Sequence, residues 1–268
     1  MPLQTIDEVI ARLEEIIQYC IKTNNRLGYF AVLYHRVTCR IKEGILNQEF
    51  EDNKRMERLD VLFATYYITA WDQWQAKHKP AASWGIAFVT GQKRGVIMQH
   101  LLLGINAHIN LDLGIATAAA MKGYSLREIQ KDFNTVNVIL ASMIDLVQDE
   151  LLKVSPLMFL LDNFGKNFDE KMTEFSIVTA RQGAWQFATE LSLKTGIQHA
   201  SCVATRDATI AHLASLLANP KGKVFSGMMK VISWLEYKEP AKIIETIRYV
   251  AQQAAAKVAP AIQREQQQ

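Results

Sequence analysis

Apolar residues recur at three- and four-residue spacing along nearly the whole chain, and no stretch sustains an alternating pattern. Helices that bury one face produce this periodicity. The spacing predicts a first helix from about Thr5 to Thr23, a second from about Leu27 to Gly44 and a third from about Gln48 to Lys77. "KHKPAASWG" then interrupts the pattern with Pro80 and Gly85. A fourth helix is expected over about 95–122. A fifth opens with Ser125, whose spacing to Glu128 is that of a capping box, and runs to about Lys153, ahead of Pro156. Beyond the apolar "PLMFLLDNFG", helices are expected at about Asp169 to Lys194, Ile197 to Ala218, Lys223 to Tyr237 and Ala241 to Ala259. No repeat or long linker divides them. The expected architecture is an all-α single domain over 1–262, with about eight to ten helices packed around a central one. The polar stretch 263–268 is its tail.

The fourth helix sets the chemical question. "QHLLLGINAHINLDLGIATAAAM" is apolar on almost every side, yet carries His100, Asn106, His108, Asn110 and Asp112. Between Arg94 and Lys122 the only formal charge is Asp112. Polar groups in the middle of such a segment are expensive in lipid, so the expectation is a helix surrounded by protein and no integral membrane span. At 100° per residue, with His100 at zero, Gly104 falls at about 40°, His108 at about 80° and Asp112 at about 120°. These positions form one slowly drifting stripe. Burying each polar group without a partner costs about 1–3 kcal/mol. The stripe is therefore either a satisfied network in the core or a site.

His108 and Asp112 stand four residues apart, so an imidazole and a carboxylate can converge on one divalent ion such as zinc, iron or manganese. The H-x-x-x-D element resembles one on helices of the zinc-dependent phospholipase C and single-strand nuclease group. That resemblance implies a metal-ligand role for His108 and Asp112, although the group's N-terminal tryptophan and other ligands have no counterpart here. The repeated E-x-x-H of di-iron bundles is absent. His100, roughly 12 Å from His108 along the axis, is placed to line a shared cavity and too far to share an ion.

Other polar residues could join the stripe. Asp60 shares a helical face with Met56, Phe63, Tyr67 and Trp71, and its expected structural partner is Arg181. His35 is a candidate partner for Asp112 or Asp60. Asn137 sits among Phe133, Val136, Leu140 and Ile144 on a core-facing stripe. Arg181, one turn before Trp185, can neutralise a buried Asp or bind an anionic substrate.

Bulk properties narrow the function classes. A net charge of +3 and a pI near 8.6 are too mild to argue for nucleic acid. Three separated cysteines without a C-x-x-C pair suit a reducing compartment, and the N-terminus lacks the pattern of a secretory signal. A cytoplasmic protein is expected. "NPKGK" does not complete a phosphate loop, and no nucleophile elbow or dinucleotide fingerprint occurs.

Together, "YHRVT", "RMERLD", "NAHINLDL" and "ARQGAW" resemble an uncharacterised family of all-helical, largely bacterial proteins, over roughly residues 27–206. The resemblance implies that His35, Asp60, His108, Asn110 and Asp112 belong to the family pattern, and it implies no activity. The expected function is an enzyme acting on a small, substantially apolar molecule. His108, Asp112, His35 and Asp60 are its candidate catalytic groups. His100, Asn106, Asn110, Asn137, Tyr67, Trp71 and Arg181 are candidate substrate contacts. With a metal, a bound water gives hydrolase chemistry. Without one, a His–Asp general base gives isomerase, cyclase or hydrolase chemistry. A carrier or sensor for a hydrophobic ligand, and a scaffold with a polar core, are the rivals.

Overall fold

The computed structural model describes residues 3–140, 143, 177–220, 223–236 and 239–248, and every regular element among them is helical. Helix α1 (Ile6–Lys22) starts at Thr5, whose hydroxyl accepts from the Glu8 amide while Glu8 reaches back to the cap. Its face of Val9, Leu13, Ile16, Ile17 and Cys20 is buried. Helix α2 (Gly28–Leu46) packs against it. Helix α3 (Asn53–Gln75) begins five residues later than its apolar pattern suggests, because Gln48 adopts φ 58° and Asp52 then caps the Arg55 amide.

"KHKPAASWG", expected to be only a break, contains the start of helix α4 (Ala82–Gly91). Local sequence offers α4 no side-chain cap. The cap comes from Asp207, which accepts from the Ala82 amide at 2.6 Å, the Ser83 amide at 3.0 Å and the Ser83 hydroxyl at 2.8 Å. A helix whose orphan amides are satisfied from so far along the chain has no local start signal.

The central helix follows as α5 (Ile97–Ala107), a π-turn (His108–Asp112) and α6 (Leu113–Ala120). Its 24 residues are long and apolar enough to cross a membrane, but 83% of the most apolar window is buried inside the protein. The buried carboxylate of Glu236 accepts from the Ile97 amide, placing negative charge at the positive end of this helix. The predicted capping box at Ser125 and Glu128 is present and opens a 3₁₀ turn (Leu126–Ile129) that continues into α7 (130–140). Asp132 of α7 reaches back to the Glu51 and Asp52 amides and so pins the α2–α3 connection. Helices α8 (Ile177–Ser192), α9 (Gly196–Ala218), α10 (Lys223–Leu235) and α11 (240–248) complete the description. The expected extension of α7 to Lys153, apart from Met143, lies outside the described residues, as do "PLMFLLDNFG", the first turns expected before Ile177 and the end of the last helix.

Helices α3 and α8 pack on α6, and α2, α4 and α9 pack on α5. Two glycines permit the closest approaches. A Cβ at Gly104 would lie 2.5 Å from the Phe30 ring, and one at Gly114 would lie 2.5 Å from the Phe187 ring and 3.0 Å from the Ala184 carbonyl oxygen. Gly114→Ala gains up to about 1 kcal/mol of helix propensity, yet meets a backbone atom that cannot rotate away. A net loss of about 1–3 kcal/mol is expected in urea unfolding. A more stable variant would show that α8 does not approach this closely.

Candidate functional site

The central helix widens at its chemical centre. Over His108–Asp112 it takes one π-turn, closed by the Leu113 amide bonding to the His108 carbonyl. Such insertions disturb the regular ladder and are frequent at functional sites. Here the helix side chains divide between two sides. Toward α9, Asn106 donates to the Ile210 carbonyl at 3.2 Å and Asn110 donates to the Asn106 side chain at 3.0 Å. Arg206 donates to the Asn110 carbonyl at 2.9 Å. These two asparagines, expected as substrate contacts, instead tie the helix to α9.

On the other side, His108 Nδ1 lies 3.1 Å from Asp112 Oδ2, which also accepts from the Trp84 indole N–H at 2.9 Å. All three residues are buried. Phe63 stacks on the His108 ring at 3.6 Å between centroids, and Tyr34 meets its edge at 4.4 Å. Burial among these rings pushes His108 well below the usual imidazole range and Asp112 well above the usual carboxylate range, with the Trp84 bond opposing the second shift. Both shifts favour neutral forms. With the proton on Asp112, the carboxyl donates to His108 Nδ1 and the ring hydrogen sits on Nε2; with the proton on Nδ1, the imidazole donates to Asp112.

His108 also lines a cavity of about 450 Å³ between α2, α3, the central helix, α7 and α8. Its walls are aliphatic and aromatic except for Tyr34, Asp60, His108 and Arg181. Among the described residues, three of these four leave a buried polar atom without a partner: the Tyr34 hydroxyl, Asp60 Oδ2 and His108 Nε2. Burial first, and the charge of Glu57 second, push the Asp60 carboxyl up to about 7. Tyr34 is pushed well above its ordinary value by burial, so it keeps its proton.

Asp60 does not pair with Arg181. Arg181 donates through Nε to the Asn137 side chain and through Nη2 to the Phe133 carbonyl at 2.7 Å, with its guanidinium 4.3 Å above the Phe133 ring. Asn137 thus orients Arg181 and is not itself part of the lining.

The remaining candidates stand elsewhere. His35 is half-buried on another face of α2, with its ring 3.8 Å from Cys39 Sγ, and reaches neither Asp60 nor Asp112. His100 is buried beside Tyr29 and next to a separate small pocket, so it does not share the cavity of His108. Burial, with help from the charge of Arg26, lowers His100 to about 4. Tyr67 packs behind Phe30 and Trp84, and Trp71 packs between Tyr19 and Phe88. No group of three His, Cys, Asp or Glu side chains converges on a metal position among the described residues. The facing atoms of His108 and Asp112 bond to each other instead.

Three contributors escaped the sequence. Trp84 lay in a presumed loop. Tyr34 is next to His35 in the chain, and only the packing shows that its side of the helix carries the cavity. Phe63 looked like ordinary core. The aromatic run around Asp60 was the usable signal, since an acid among rings at helical spacing is rarely solvated.

An all-helical protein with a buried central helix and a largely apolar cavity beside it is the class these features define. The chain belongs to the family of unknown function DUF5995, whose model matches residues 6–220. Neither a curated protein nor a solved structure matches it.

Asp60 should leave a pH signature in stability. Its folded-state value near 7 lies above the ordinary value of 3.8, so between about pH 4 and pH 7 the folded protein holds a proton that the unfolded chain releases. Stability from this group therefore falls as pH rises through that window, and the full penalty, about 3–5 kcal/mol, is present above it. Asp60→Asn removes the penalty. The variant should match wild type near pH 4 and be markedly more stable at pH 8, as read by urea unfolding across pH. A pH-independent difference would mean that Asp60 has a charge partner.

Proposed function

We propose that the protein binds a small, largely apolar molecule in this cavity and transfers a proton at its polar end, by acid–base chemistry without a metal. One observation carries the proposal: Tyr34, Asp60 and His108 each leave a buried polar atom unpartnered while lining one otherwise apolar cavity. Folded proteins pair nearly all such atoms, and a ligand's oxygen is the partner that fits them. The bond between His108 and Asp112 supports the metal-free version over one in which both ligate an ion.

The groups divide the work by their proton states. Asp60, poised near neutrality, is the base. Tyr34 and the Nε2–H of His108 are neutral donors for a carbonyl oxygen, and Asp112 holds the imidazole in that tautomer. Asp60 takes a proton from the carbon beside the carbonyl; the C–H pair becomes a C=C bond as the carbonyl π pair moves onto the oxygen held by the two donors. In a β,γ-unsaturated carbonyl compound, return of the proton from Asp60 to the γ carbon re-forms the carbonyl and gives the conjugated isomer. The few polar groups of the wall keep these charges undiluted by water.

A carbon-acid probe tests this without knowledge of the substrate. With 5-nitrobenzisoxazole, ring opening by loss of the C–H proton should rise with pH through an apparent pKa near 7. Asp60→Asn should slow it by about 100-fold or more, and Tyr34→Phe by less. Equal rates in wild type and Asp60→Asn would remove the catalytic proposal and leave a binding protein.

A further inference from the structure

Arg181 is the feature of the cavity that proton transfer does not use. It is buried, it lines the cavity, and among the described residues none of its contacts carries a negative charge. The Asn137 amide oxygen, the Phe133 carbonyl and the Phe133 ring are all neutral partners. Two of its five N–H groups are thereby engaged, and Nη1 makes no hydrogen bond to a described residue. Burial lowers Arg181 only to about 9, so it stays protonated at neutral pH. A desolvated guanidinium without a counter-ion costs stability that an aliphatic residue of similar length would not. Its planar fork, held from behind by Asn137, matches a carboxylate.

We infer that the molecule bound in the cavity is an apolar carboxylic acid whose carboxylate pairs with Arg181. The inference rests on the proposed binding in this cavity and adds the charge and head-group class of its ligand. Asp60 forms no ion pair with Arg181, which leaves the guanidinium for the acid's carboxylate and the aliphatic wall, Leu101, Ile105 and Leu113 among it, for its hydrocarbon.

Calorimetry with three ligands of one chain length, decanoate, 1-decanol and decylamine, below their aggregation limits at pH 7.5, separates the possibilities. Decanoate should bind at least about tenfold more tightly than the other two, a difference of about 1.4 kcal/mol. Arg181→Gln should remove that preference while leaving 1-decanol unchanged, and Arg181→Lys should retain part of it. If Arg181→Gln does not fold, as judged by circular dichroism, the ranking of the three ligands on wild type decides alone. Decanoate and 1-decanol binding equally well would overturn the anion inference and leave cavity binding standing. Ile105→Trp, which fills the cavity, should abolish binding of all three. Binding that survives it, or no binding of any of the three to wild type, would overturn the cavity reading and the inference with it.

Discussion

An acid in the middle of an apolar helix needs a partner, and the indole N–H of Trp84 is the one Asp112 receives. Burial raises the cost of the carboxylate, so its oxygen has to be held by donors that other helices bring to it. Trp84 can do so only if α4 lies against the central helix, and α4 starts there because Asp207 of α9 caps it. The same carboxyl fixes the ring of His108, which Phe63 and Tyr34 then enclose. A single buried acid thus links the positions of α2, α3, α4 and α9 around one turn of helix.

Elsewhere in the molecule, buried and half-buried acids are used as caps. Asp132 holds the amides before α3, Asp207 those of α4, and Glu236 the first amide of the central helix. Each is distant in sequence from the groups it satisfies, and each gains from the partial positive charge of a helix start. Asp60 has no such use. Its contrast with these other acids gives its free oxygen meaning, because the fold shows repeatedly that it pairs acids where pairing is the purpose.

The cavity separates its charged residues. Asp60 belongs to α3 and Arg181 to α8, and aliphatic side chains fill most of the wall. If the two were in contact, each would neutralise the other and nothing in the cavity would select a ligand by charge. Kept apart in a medium of low dielectric, each keeps its own field with little screening. Asn137 and Phe133 make this possible by holding the guanidinium in place without cancelling its charge.

The helical periodicity, the all-α class, the central position of Ile97–Ala120, the start of the first helix at Thr5 and the capping box at Ser125 were legible in the chain, because each depends on residues within a few positions of one another. So was the pairing of His108 with Asp112, which one helix turn brings together. Spacing could not say which polar residues had partners. Asn106 and Asn110 looked as functional as His108, yet the Asn106 amide is taken by a carbonyl of α9 and the Asn110 amide by Asn106. Arg181 and Asp60 looked like a pair, and packing set them on different walls. Helix α4 and Trp84 were hidden because the cap that starts the helix stands far along the chain. The sequence determines what each helix must bury, since that follows from periodicity. The meeting of helices decides which buried groups are satisfied, because a hydrogen bond needs two atoms within about 3 Å and only tertiary structure sets that distance.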